Sequence, residues 1–120
     1  MNVQVKALAP PRLREAIEHN GEFTLYVHNL VDPAHGEVQS YPNVSKGDKI
    51  TFKVSTSTGN EYNWELAVGS PADAPFVFEI PKKIFAEKLV PGATAKLSYS
   101  VQTSSGNTAE SPELRVYLKH

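Results

Sequence analysis

Cysteine is absent from this chain of 120 residues. That removes disulfides, thiolate nucleophiles and cysteine-based zinc sites together. It also argues against a small secreted scaffold held by cross-links, while leaving the compartment open. Long apolar runs are missing too. No window approaches the length needed to span a bilayer, so membrane insertion is not expected. Residues 1–11 carry one Lys and no apolar stretch, which is not the pattern of a signal peptide. Charge of a dominant sign is a third absence. Lys and Arg total 12 against 13 Asp and Glu, a formal charge of -1, and the charges are scattered. No basic field points to nucleic acid and no acidic tail is present. Catalytic signatures are lacking as well: there is no nucleophile elbow, no His-Glu-x-x-His, no phosphate loop and no dinucleotide fingerprint. The chain is therefore expected to be no enzyme, with no catalytic residues, cofactor or metal.

What the chain does have is period-two alternation. Hydrophobic residues make up 40% of it, enough for one ordinary core. Phe23, Leu25 and Val27 alternate with Thr24, Tyr26 and His28. The same pattern holds for Ile50-Phe52-Val54, Tyr62-Trp64-Leu66, Phe76-Phe78-Ile80, Leu97-Tyr99-Val101 and Leu114-Val116-Leu118. A further strand is expected over Arg12–Ile17, with Leu13 turned inward. Alternation of this kind gives each strand one apolar and one polar face. Two such sheets packed face to face make a sandwich.

Turn residues separate the runs at Asn20-Gly21, Ser45–Asp48, Thr58–Asn60, Pro91-Gly92 and Ser105–Asn107. Asn20-Gly21, between Ile17 and Phe23, is a hairpin signal. The stretch Pro81–Leu89 breaks the rhythm. Pro81 suits a first helical position and Ile84 or Phe85 can share a face with Leu89, so a short helical connection is expected there. The fold class is thus all-β: an antiparallel sandwich of about seven strands, with one short helical connection before the penultimate strand. Residues 1–11 are assigned to a linker or the remnant of a strand, and residues 12–120 to the sandwich domain.

Tyr41-Pro42-Asn43-Val44-Ser45-Lys46-Gly47-Asp48-Lys49-Ile50 resembles the Tyr-Pro…Gly-Asp-x-Ile segment of bacterial immunoglobulin-like repeats. Leu8–Pro11 with Glu15-Ala16, Phe78–Pro81 with Ile84, Tyr99–Val101 and Ser111–Leu114 are similar to other segments of that repeat, in the same order. Such repeats occur in tandem in large surface and adhesin-like proteins of pseudomonads and their relatives. The resemblance implies an immunoglobulin-like (invasin- or fibronectin-like) module that acts as a structural spacer or as an adhesion or binding domain at the cell surface. The alternative is a stand-alone binding protein for a carbohydrate or protein partner. Contacts would run through the end loops, and the module would be a monomer or one repeat of a tandem array. Asn60–Leu66, with its polar start, and the Gly69–Pro75 loop depart from the repeat pattern. Asn2–Val5 echoes Leu114–Tyr117 and could be the tail of a preceding repeat's last strand.

Several residues are candidates for more than packing. Trp64 is the only Trp. It could be a stacking platform, but its parity with Tyr62 and Leu66 favours a core Trp on a central strand. Tyr99 is expected to be buried with its hydroxyl on nearby backbone. Of His19, His28, His35 and His120, only His35 lies among carboxylates. Asp32, His35 and Glu37 are close enough in sequence for a conceivable metal site, although a polar loop is the expected structure. Asp48, Glu61 and Asp73 are oxygen donors for calcium without a binding-loop pattern. Lys82, Lys83 and Lys88 would form a basic helix face, expected to be merely solvated. Asn43-Val44-Ser45 matches a glycosylation acceptor. Thr24, Tyr26 and His28 form an outward row that could be a contact surface.

Overall fold

A computed structural model of the chain describes residues 8–120; the echo at Asn2–Val5 lies outside them. The fold is all-β, two sheets of unequal width enclosing one apolar core. The smaller sheet joins β1 (Arg12–Leu13), β4 (Ala34–Val38) and β7 (Phe76–Ile80) in the order β1-β4-β7. The larger joins β2 (Ile17–His19), β3 (Glu22–Tyr26), β10 (Leu114–Lys119), β8 (Thr94–Gln102), β5 (Lys49–Thr56) and β6 (Glu61–Ala67), in that order. A short β9 (Thr108–Glu110) pairs with the far half of β8.

The expected alternation sets the inner faces. Ile50, Phe52 and Val54 of β5, Leu97, Tyr99 and Val101 of β8, and Val116 and Leu118 of β10 are buried. Ala34 and Val38 of β4 and Phe76, Phe78 and Ile80 of β7 face them. Phe52 and Phe78 stack across the layers with ring centroids 5.0 Å apart. Gly36, in register with Phe78, makes room for this pair: a Cβ there would lie 2.6 Å from Phe52 Cζ. Close approach of ring to backbone, rather than a turn, is why this position is glycine.

Four expectations are revised. The strand expected over Arg12–Ile17 divides into β1 and β2, which belong to different sheets; the chain crosses between layers at Arg14–Ala16. Asp32–Glu37 is not a polar loop, because β4 begins at Ala34. Of its inward set, Ala34 and Gly36 have little β propensity and only Val38 favours a strand, so pairing with β1 and β7 rather than residue preference makes most of it. The larger sheet is mixed rather than antiparallel, since β10 pairs with β3 in parallel register. Ten strands form among the described residues, and β9 follows the strand expected to be penultimate. Pro112, which has no N–H to give, sits between β9 and β10. Ser111 bridges this break: its N–H donates to the Tyr99 carbonyl at 2.8 Å, and its Oγ accepts from the Tyr99 N–H at 3.0 Å.

The turns follow their residues. Asn20 and Gly21 both take positive φ, 52° and 81°, as a two-residue hairpin requires, and β2 pairs with β3 across them. The turns Thr56–Asn60 and Thr103–Asn107 are built alike. In each, the Thr N–H donates to the Asn carbonyl, the Asn N–H donates to the Thr hydroxyl, and Gly takes positive φ.

The helical connection is present as α1 (Lys82–Ala86), with Phe85 buried. Two distant side chains hold it. Asp32 Oδ1 accepts from the Lys82 N–H at 2.7 Å, and Asn60 Nδ2 donates to the carbonyls of Ile84 (3.0 Å) and Glu87 (2.8 Å). Each satisfies backbone groups that a short helix leaves open. The polar start of Asn60–Leu66 thus has a structural use.

Candidate functional site

The three-stranded sheet does not cover the larger one. Both sheets end on the same flank, the larger at β6 and the smaller at β7. Trp64 stands opposite Phe52 in register and so turns to the inner face. Among the described residues no strand of the smaller sheet covers the ring, and it is 58% exposed. The expectation of a core Trp on a central strand is therefore overturned. Parity is right, but β6 is the margin of the sheet, where an inward side chain meets an open seam.

The seam is a depression of about 420 Å³ lined by Tyr62, Trp64, Val77, Phe78 and Glu79. The Tyr62 and Trp64 rings stand parallel, with planes 5° apart and centroids 6.5 Å apart. The Tyr62 hydroxyl donates to the Glu79 carbonyl at 2.7 Å and ties the two free edges together. Burial, and then the Glu79 carboxylate, raise the Tyr62 pKa above its ordinary value. A second depression, between Leu66 and Phe76–Val77, continues the seam toward the Gly69–Pro75 loop.

The backbone along this flank is also open. Thr56 N–H donates to the Asn60 carbonyl, and Val68 N–H donates to the Asp48 carbonyl. In an antiparallel ladder every second pair is bonded in this way. The register then turns the groups of Tyr62, Trp64 and Leu66 toward β5. Those of Glu61, Asn63, Glu65 and Ala67 point to the free edge. The side chains of Glu61, Asn63 and Glu65 are exposed on the outer face.

The end loops offer less. At the pole where β8 ends, a cleft of about 230 Å³ is lined by Leu8, Tyr41, Asn43, Asp48 and the Thr103–Asn107 turn, among others. Its one carboxylate, Asp48, is 1% exposed. Asp48 Oδ2 accepts from the Tyr41 hydroxyl at 2.9 Å and from the Ser45 N–H at 3.0 Å. Burial, followed by the Asp48 bond, drives the Tyr41 pKa far upward. The Tyr-Pro…Gly-Asp segment is thus a cross-braced loop. Asn43 sits in it at φ 64°.

The acidic and histidine candidates do not converge. Asp32 holds α1, Glu37 accepts from Arg14 Nη2 at 2.8 Å, and His35 Nδ1 pairs with Glu15 at 2.6 Å. Asp48 and Glu61 lie at opposite ends of the β5–β6 hairpin, and Asp73 is on a separate 3-10 turn. Among the described residues no three His, Asp or Glu are grouped as metal ligands would be. Lys82, Lys83 and Lys88 do not share a helix face, because α1 ends at Ala86 and Lys88 has φ 61°. The Thr24–Tyr26–His28 row is broken, since Val27–Asn29 turns into a 3-10 helix. Tyr99 is 2% exposed, and its hydroxyl donates to the Ala9 carbonyl at 2.7 Å. That partner is backbone, as expected, but 90 positions away.

No family model, curated protein or solved structure matches this chain. The geometry of the flank and poles is therefore the basis for a functional reading.

Proposed function

We propose that this chain is a non-catalytic immunoglobulin-like module that serves as a structural spacer in a bacterial surface protein. The observation that carries this is the placement of the two ends. Leu8 packs against the pole where β8 finishes, beside the Thr103–Asn107 turn. β10 runs antiparallel to β8, so Lys119 leaves at the opposite pole. A sandwich 48 Å long, entered at one pole and left at the other, extends any chain it is part of. The Tyr99–Ala9 bond and the buried Leu8 and Pro11 anchor the entering segment, so tension along the chain meets the sandwich directly.

The immunoglobulin-like assignment rests on strand order. The chain returns to the smaller sheet at β1, β4 and β7 and spends every other strand in the larger one. Three lie as β1-β4-β7 and face a sheet whose run β6-β5-β8-β10 follows the C′-C-F-G order of such domains, with the β2–β3 hairpin added beyond β10. The repeat resemblance at Tyr41–Ile50 supports the bacterial surface setting.

An immunoblot of fractionated source cells tests the proposal, with an antibody raised to this domain. A band far larger than 13.2 kDa in the surface fraction is the expected result. A chain-sized soluble band would refute the spacer role. A second reading, a module that binds a partner, is favoured by the uncovered Trp64.

A further inference from the structure

We propose that the β6 edge accepts an extended segment of another polypeptide as an added strand, and that the segment it selects is apolar on one face and basic on the other. This deepens the binding reading of the flank and does not depend on the spacer role.

The backbone groups that a new strand needs are already aimed outward at Glu61, Asn63, Glu65 and Ala67, as the β5–β6 register requires. Strand addition at an exposed edge uses such groups for affinity and alternate side chains for specificity. A strand laid beside β6 would place one set of side chains opposite Tyr62, Trp64 and Leu66. That set would fill the seam of about 420 Å³ and cover the exposed Trp ring. Apolar residues fit there. The alternate set would stand opposite Glu61, Asn63 and Glu65 on the outer face. Opposite charges across a strand pair stabilise it and like charges destabilise it, so the outer set should be basic.

The same carboxylates argue against a second copy. Antiparallel self-pairing centred on Asn63 would set Glu61 of each chain against Glu65 of the other. Edges are guarded by edge charges, inward charges, Pro or a bulge. β6 has only the first: Glu61–Ala67 holds no Pro, pairs with β5 without interruption and keeps Glu61 and Glu65 outward, a guard that repels a like edge and admits a basic strand.

Trp64 is the only Trp, so intrinsic fluorescence reports the flank directly. The probe is the peptide Ser-Val-Lys-Ile-Thr-Val-Lys, acetylated and amidated, titrated into the intact chain. A saturable blue shift with protection from acrylamide is expected. Replacing both Lys by Glu should weaken binding roughly tenfold, and N-methylation of the central Ile-Thr amide should abolish it. In the Glu61→Lys/Glu65→Lys double variant, the preference between the Lys and Glu peptides should invert. No saturable shift, or equal binding of the N-methylated peptide, overturns strand addition. A shift with neutral oligosaccharides but not with the peptide assigns the seam to a sugar and also overturns it. Concentration-dependent dimerisation that blue-shifts Trp64 would assign the edge to a second copy, with the same consequence. The immunoblot and this titration can fail separately.

Discussion

The centre of the larger sheet and its β6 margin carry the same sequence signal and meet opposite fates. Ile50-Phe52-Val54 and Tyr62-Trp64-Leu66 both alternate, and the two triplets face the same way in paired register. Phe52 is sealed against Phe78 and Gly36, whereas Trp64 stands in an open seam. Alternation tells which face a side chain takes. It does not tell whether another layer lies over that face. Seven strands on one side and three on the other leave the β6 margin without cover.

The comparison can be broken at the centre first. Phe52→Ala removes a ring packed between layers and leaves a cavity under Gly36. It should cost about 3–5 kcal/mol in chemical denaturation. A loss below about 1 kcal/mol would mean that the core collapses freely around this position.

Next comes the braced pole. Tyr41→Phe takes one of two donors from the buried Asp48 and should cost about 1–3 kcal/mol. It should also change the alkaline limb of stability. The folded Tyr41 phenol ionises well above its ordinary value of 10.0. The unfolded chain therefore releases that proton first as pH rises. The contribution is complete below pH 10.0 and declines as pH climbs from there toward the raised value. Denaturation midpoints measured across this range should fall less steeply in Tyr41→Phe than in the parent. An unchanged slope would count against the Asp48 bond.

A smaller effect is expected at the helix. Asn60→Ala frees the Ile84 and Glu87 carbonyls, which solvent can partly satisfy, and should cost about 1 kcal/mol. Amide exchange should quicken locally across α1 and leave β5 and β8 protected.

The smallest effect belongs to the margin. Trp64→Ala should change stability by less than about 1 kcal/mol, since the ring has little cover to lose. The parent's fluorescence should already be open to acrylamide quenching. A loss like that of Phe52→Ala, or a shielded ring, would erase the distinction between centre and margin.

Much of the framework was legible in the chain. The strands at Ile50–Val54, Phe76–Ile80 and Leu97–Val101, the Asn20-Gly21 hairpin and the helical connection after Pro81 follow from local chemistry: alternation, positive-φ residues and a proline. β4 was hidden because Gly36 breaks the alternation for a reason that lies on another strand, the Phe52 ring. The division between β1 and β2 was hidden because nothing local marks a change of sheet.

Composition and period alone determined that this chain makes two-faced strands, lacks thiol chemistry and has one apolar core, since these depend on residue type and nearest neighbours. Tertiary structure decided which inward residues receive cover, that Asp48 is spent on Tyr41, that Asp32, His35 and Glu37 part company, and that Trp64 is left uncovered on the inner face. Those outcomes depend on the relative width and order of the two sheets. That order is set by contacts between residues far apart in the chain, where no local pattern reaches.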